Sequence, residues 1–387
     1  MDNPLRNPDL EVAHRQQLAS HLKQLCAIPS YKSTASGSLG IIPQVTAVSE
    51  TFSSTVARRA FDPALGWMKG LNLSPFLPYF STSRGAAFNV DSMLILKALP
   101  SASVDLVLTS PPFALTRKKE YGNEPLERYL EWFTPFCLEI KRVLKPTGSF
   151  VLDIGGAWIP GAPVRSIYHF ELAVRLAKEF NLAQEFYWYN PAKLPTPAEW
   201  VTIRRIRVKD AVNMVWWFSK QEFPKADNRR VLRPYSESMK GLIKNGYKAK
   251  KRPSGHDISE NAFQRDNGGA IPPNLLEIAN TESNSYYLRR CKALGIKPHP
   301  ARFPEALVQF FIDFLTDQND LVVDPFGGSI VTGAVCQRSD RRWVTSELRT
   351  DYLDGALARF DTSQAGKKAA KLRRRDTIQQ PGLYSGD

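Results

Sequence analysis

Two short segments constrain the fold more than any others. Val104–Thr109 (VDLVLT) and Leu321–Asp324 (LVVD) are apolar almost without alternation, so both faces of each must be covered, as in strands at the centre of a parallel sheet. Each runs straight into a turn, Ser110-Pro111-Pro112-Phe113 after the first and Pro325-Phe326-Gly327-Gly328-Ser329 after the second. Parallel neighbours need crossover connections, usually helices, on the faces of the sheet. From Ala86 onward the sequence supplies that alternation. Leu126–Leu144 carries Leu126, Leu130, Phe133, Cys137, Ile140 and Leu144 at helical spacing, with Pro135 expected to kink it. Ser149–Ile154, Phe186–Tyr189 and Val212–Phe218 read as strands, and Ile167–Glu179 as a helix between the first two. A helix over Glu305–Leu315, a helix from about Ser329 and a strand over Trp343–Glu347 complete the pattern. The expected fold is α/β, doubly wound, with a mostly parallel sheet.

The chain of 387 residues is long enough for such a core plus an insertion. Residues 1–80 mix Ser, Pro and Gly clusters with short apolar patches and show no periodicity, so they are read as an extension without an assigned role. The core is expected over 81–220 and 299–361. Between them, 221–298 is rich in Lys, Arg, Asn, Gly, Ser and Pro and reads as an inserted region that meets a partner; 362–387 is a basic tail. No apolar run approaches a membrane span, and no leader-like segment opens the chain, so a cytoplasmic location is expected. Cys26, Cys137, Cys291 and Cys336 are widely spaced with no His at ligand spacing, which points away from a zinc site or a disulfide framework. Lys and Arg exceed Asp and Glu by 14, a balance that suits a polyanionic partner, DNA or RNA.

The turn after Val104–Thr109 lies where an open parallel sheet binds ligands. Two consecutive prolines hold it extended and leave carbonyl oxygens as acceptors. An exocyclic amino group of a base is a poor nucleophile, because its lone pair is delocalised. Acceptors from Ser110 would favour its pyramidal, attacking form, and Phe113 could stack on a base withdrawn from the duplex. At the second turn, glycines permit close approach of a ligand to the backbone. About twenty residues on, Glu347 closes a strand where a carboxylate takes the hydroxyl pair of a ribose. Together these describe a nucleoside-cofactor pocket. The dinucleotide fingerprint Gly-x-Gly-x-x-Gly is absent, which favours S-adenosylmethionine over a nicotinamide cofactor. Asp91, after the run Ala86–Val90, is placed either to accept a hydrogen bond from adenine or to cap a helix over Ser92–Leu99, or both.

These three sites resemble the amino-methyltransferases of DNA in which the catalytic motif precedes the cofactor motif, and Ser at the head of the motif resembles the cytosine-N4 group rather than the adenine-N6 group. The segments SPPFALTRKKEYGN from Ser110, YWYNPAKLP from Tyr187, VKDAVNMVWWFSK from Val208, RPSGHDI from Arg252 and HPARFP from His299 carry the resemblance further, from about Gly85 to Arg359. It implies that Ser110, Pro111, Pro112 and Phe113 are catalytic and that Asp324, Phe326, Gly327, Gly328 and Ser329 hold the methionine part of the cofactor. Glu347 would take the ribose, Asp91 the adenine, and His299 with Phe303 would close the site. Trp188 or Tyr189 could form a second wall for the flipped base. Lys251, Arg252, Ser254 and His256 would contact double-stranded DNA, and CAGCTG, modified at its inner cytosine, is the site to try. A cognate restriction endonuclease acting on the same sequence is the partner such enzymes imply.

The sequence departs from the family in two places, and at the first Val90, preceded by Asn89, stands before Asp91 where related enzymes often carry Gly. At the second, in the cofactor motif, Ile330 and Val331 follow Ser329 where Thr-Thr is usual, and a bulky β-branched residue there is expected to narrow the turn. Three other readings stay open at this point: an adenine-N6 enzyme, a catalytically silent DNA-binding protein on the same fold, and an RNA methyltransferase.

Overall fold

The computed structural model describes residues 57–58, 63–114, 125–246, 265–281 and 285–360. Its strands are β1 (Ala57–Arg58), β2 (Phe80–Thr82), β3 (Gly85–Phe88), β4 (Val104–Thr109), β5 (Leu144–Ile154), β6 (Asn181–Tyr189), β7 (Val212–Ser219), β8 (Leu275–Glu277), β9 (Leu321–Asp324) and β10 (Arg342–Ser346). They form one mixed sheet in the order β1-β2-β3-β10-β9-β4-β5-β7-β6-β8. The centre, β3, β10, β9, β4 and β5, is parallel throughout, whereas β7 runs antiparallel to both β5 and β6. This is the doubly wound α/β fold that the two apolar strands demanded.

Residues alternate between two cores along every central strand. Val107, Phe150, Leu152 and Val323 pack with α1 (Ser92–Ala98), α2 (Tyr129–Val143) and α3 (Tyr168–Leu176) on one face. Leu106, Leu108, Val151 and Val322 pack with α6 (Glu305–Leu315), α7 (Val331–Arg338) and the turn after α8 (Thr350–Ala356) on the other. Helix α4 (Glu237–Asn245) lies within the expected insertion, and α5 (Tyr286–Ala293) precedes the return to the core. No helix among the described residues is long and apolar enough to cross a membrane.

Several expected boundaries move. The ordered body begins before Ala86: Met68, Leu71 and Leu73 are buried in the first core, and β2 forms a hairpin with β3. That stretch is a 3₁₀ helix, Pro63–Leu71, and a short hairpin, neither of which carries a long period. Strand β5 starts at Leu144, ahead of the expected Ser149, because Pro146 and Gly148 fall at an irregular register against β4. Helix α2 continues through Pro135, with the Thr134 hydroxyl donating to the Leu130 carbonyl at 2.7 Å. The expected insertion 221–298 is joined to the core at both ends. Lys225 pairs with buried Asp105 and with Asp320, and β8 adds to the sheet beside β6.

One contact between neighbouring strands is tight enough to test. A Cβ at Gly85 would overlap both the indole and the carbonyl of Trp343, its partner across β3 and β10. Gly85→Ala is expected to lower the unfolding free energy by about 1–3 kcal/mol, read as a shift of the urea midpoint; an unchanged midpoint would show that the strand pair has slack.

Candidate active site

The order of the strands reverses between β9 and β4: the chain leaving β4 proceeds outward to β5, and the chain leaving β9 proceeds the other way to β10. The two turns singled out in the sequence therefore face one crevice, the place where such sheets bind ligands. A single carboxylate joins them. Asp324 accepts from the Thr109 hydroxyl at 2.7 Å, from the Thr332 hydroxyl at 2.8 Å and from the Phe326 N–H at 3.2 Å. Burial pushes its carboxyl up to about 6, against the lowering effect of those three donors. Both oxygens are thus engaged inside the protein, and Asp324 acts first as the brace of the turn.

The catalytic turn is bolted from behind. Tyr129 donates its hydroxyl to the Pro112 carbonyl at 2.8 Å; Tyr168 accepts from the Ala114 N–H at 3.3 Å and donates to the Gly155 carbonyl at 2.6 Å. The Pro112 carbonyl is therefore not the free acceptor that the double proline suggested, and the acceptor role falls to Ser110. A Cβ at Gly155 would lie 2.8 Å from the Phe113 ring, so glycine is what lets Phe113 settle over the end of β5. The Ser110 hydroxyl donates to Asp153 at 3.1 Å, and Asn213 reaches the other oxygen of that carboxylate at 3.5 Å. Asp153 is 3% exposed. Burial raises its carboxyl to about 7, with the Ser110 and Asn213 hydrogen bonds opposing.

On the cofactor side, the Gly327 N–H bonds to the Ser346 carbonyl at 2.9 Å, and a Cβ there would overlap the Thr345 hydroxyl. Gly328 sits at φ +51°, with the His299 ring against its α-carbon. Glu347 accepts from the Gly328 N–H and the Arg349 N–H, each at 2.9 Å, and burial lifts its carboxyl to about 7. Ser329 is held by Arg359, which donates to its carbonyl at 2.8 Å and to its hydroxyl at 3.2 Å. The expected narrowing at Ile330 and Val331 does not occur. Ile330 takes a left-handed conformation (φ +53°) that turns its side chain wholly into the second core, where Gly333 makes room for it; only Val331 lines the crevice.

The crevice holds a cavity of about 570 Å³, within the usual range for a ligand site. Its wall includes Ser110, Pro111, Pro112 and Phe113 from one turn and Asp324, Phe326, Gly327, Gly328 and Ser329 from the other. Glu347, Asp91, His299, Phe303 and Trp188 also line it, so the sites expected from separate parts of the sequence converge. Asp91 caps α1 through the Met93 N–H at 2.8 Å and also lines the cavity. Trp188 contributes from an anchored position, its indole N–H bonded to the Ile278 carbonyl at 2.8 Å, whereas Tyr189 is not part of the wall. Lys251, Arg252, Ser254 and His256 lie outside the described residues.

Among the wall residues that escaped the sequence reading are Asp153, Asn213, Trp132 and Phe136. Trp132 and Phe136 stand four apart on α2, one position from the core stripe of Phe133 and Cys137, and stack against Phe326 at 5.9 and 5.2 Å. Their spacing was the available signal. Asp153 follows the apolar run Phe150–Leu152 one residue before the end of β5, much as Asp324 follows Leu321–Val323 in β9.

Gly327→Ala is expected to weaken S-adenosylmethionine binding at least tenfold with little change in melting temperature, since the intruding methyl displaces the turn and not the core; calorimetric titration checks this. As pH falls through about 7, Glu347 takes up a proton and loses its charge. Affinity for the cationic sulfonium ligand is then expected to weaken from about pH 8 to about pH 6, and Glu347→Gln to remove most of that dependence.

Known proteins are similar to this chain. Type II methyltransferase M.PvuII of Proteus hauseri is 54% identical over 288 residues, covering 73% of this chain and 85% of its own length. Type II methyltransferase M.BglII of Bacillus subtilis is 27% identical over 273 residues, covering 69% and 66%. A solved structure described as PvuII DNA methyltransferase (cytosine-N4-specific) superposes with a TM-score of 0.60 at 46% identity, covering 76% of this chain and 93% of that one. A profile of the DNA methylase family matches residues 104–358, and the chain belongs to that family.

Proposed function

We infer that this protein is a site-specific DNA methyltransferase that moves a methyl group from S-adenosylmethionine to N4 of a cytosine flipped out of duplex DNA. The observation that carries this reading is the Ser110–Asp153 pair, set in one cavity with the glycine turn of Gly327 and Gly328. The cavity fits the cofactor: Gly327 and Gly328 bring bare backbone to its wall, and Glu347 offers a carboxylate at the edge where a ribose is held. Bound S-adenosylmethionine supplies an electrophilic methyl group on a sulfonium. Gly327, Gly328 and Ser329 would meet its methionine part, Glu347 its ribose and Asp91 its adenine, with His299 and Phe303 closing the side. His299 does so as a neutral ring, its titration held down to about 4 by burial.

The chain's own groups handle the proton. The Ser110 hydroxyl already donates to Asp153, so its lone pairs are turned to accept an N–H of the amino group. When N4 forms its bond to the methyl carbon, the carbon–sulfur bond would break and leave a neutral thioether, while N4 becomes cationic and must lose that proton. Ser110 takes it and passes its own to the Asp153 carboxylate, which ends neutral. Phe113 stacks on the ring and Trp188 stands across the cavity, so the base has aromatic support while Ser110 grips its amino edge. An acidic head residue would place a permanent charge against N4; the serine pair offers a neutral acceptor backed by a carboxylate. CAGCTG is the sequence to test, and an endonuclease of the same specificity is the proposed biological partner.

Tritiated methyl transfer to unmethylated duplex DNA, followed by nucleoside analysis, is expected to place label in N4-methylcytosine. Ser110→Ala should lower kcat by about 100-fold or more; label in N6-methyladenine would overturn the base assignment. Because Asp153 must be ionised to receive the proton, kcat is expected to rise with pH through about 7, and Asp153→Asn to be slow without that rise.

A further inference from the structure

The hairpin loop between β6 and β7, residues 190–211, lies beside the cavity and has no part in the reaction described above. It is closed by the Asn190 N–H on the Ala211 carbonyl at 2.8 Å, and Lys193 and Asn213 at its two roots line the cavity wall. Its shape is fixed from within. The Ile206 and Arg207 N–H groups both donate to the Trp200 carbonyl, at 3.0 and 3.2 Å, and the Lys209 ammonium donates to the Pro191 and Lys193 carbonyls. It is also latched to the loop that follows β5. Arg207 donates to the Pro163 carbonyl at 2.7 Å and lies over the Trp158 ring at 4.3 Å, while Asp210 pairs with Arg165 at 3.3 Å.

Against that order, the tip presents what a core would bury. Ile203, Ile206 and Val208 are 69, 60 and 84% exposed, interleaved with exposed Arg204, Arg205 and Lys209. The loop holds five cations against two carboxylates. Both carboxylates are spent: Asp210 on Arg165, and Glu199 on Arg204 at 2.7 Å, an exposed pair that a phosphate can displace. Arg205 has no ion-pair partner among the described residues. A cationic and aliphatic tip, held by internal hydrogen bonds on a loop whose roots line the cavity, is complementary to one occupant, duplex DNA. Its phosphates take the guanidinium groups, and the apolar edges of its bases and sugars take the isoleucines.

We propose that the 190–211 loop is a DNA-docking element separate from the 221–298 region, in which Arg204 and Arg205 hold backbone phosphates and Ile203 and Ile206 press on the base stack beside the cytosine being withdrawn. This rests on the methyltransferase reading. The test compares parent protein, Arg204→Ala/Arg205→Ala, Arg204→Lys/Arg205→Lys and Ile203→Ser/Ile206→Ser on a fluorescent CAGCTG duplex across a salt series. The alanine pair is expected to bind roughly tenfold more weakly at low salt and to reduce the slope of log K against log salt by about 2. The lysine pair should restore both, since a phosphate accepts either cation. The serine pair should keep the slope and lose the fluorescence rise of a 2-aminopurine placed next to the target. S-adenosylmethionine affinity and melting temperature should match the parent in every variant, because these side chains are exposed. An alanine pair with the parent's affinity and slope would overturn the assignment, as would lysine variants that fail to restore binding. Methyl transfer by the parent in the same samples reports separately on the enzymatic reading.

Discussion

The structure depends on one buried carboxylate. Asp324 is 4% exposed and receives three donors, from the strand on the far side of the switch point, from the turn it begins and from the helix beyond. An unpaired charge in that place would be strongly destabilising; with both oxygens answered, it instead fixes β4 against β9 and sets the distance between the Ser110–Phe113 turn and the Pro325–Ser329 turn. Positioning of two reacting groups is worth more in catalysis than any single contact to either. Here that positioning is delegated to a residue that need touch neither of them.

The cavity also concentrates acids in a strongly basic protein. Asp153, Asp324 and Glu347 all have their titration raised toward neutrality, in each case because burial disfavours the charged form more than neighbouring donors favour it. Raised carboxyl groups clustered in one cleft mark a functional site more specifically than net charge does. The outer surface attracts a polyanion, and the interior of the cleft suits a sulfonium cation and a departing proton. The two electrostatic demands are met at different depths of the same molecule.

What the sequence disclosed follows from periodicity. Fully apolar strands announced the parallel centre, and α6 was legible from its first residue to its last, because a buried strand and a one-sided helix each impose a spacing. Elements with no such spacing were not legible. Strand β6 begins with the exposed run Asn181–Gln184 and was seen only where it becomes buried at Phe186; the hairpin of β2 was too short to alternate. Site residues followed the same division. Those in glycine or proline turns stood out by residue type, whereas Asp153 and Asn213 are single polar residues in strands, and their meeting is a product of β5 and β7 pairing in antiparallel register, Asp153 opposite Val215. Pairing of that kind is a property of the tertiary fold. The expected effect of Ile330 failed for a related reason: bulk alone says nothing of direction, and a left-handed backbone sent the side chain away from the ligand.

Arg359 introduces an order in time. It clamps Ser329, thirty residues earlier in the chain, while its guanidinium lies 4.5 Å from the Tyr287 ring and 3.4 Å from Glu305. A ribosome delivers the glycine turn well before it delivers the residue that secures it. During synthesis the Ser329 turn is therefore made before the residue that secures it, and the clamp closes only when the segment carrying Arg359 folds back.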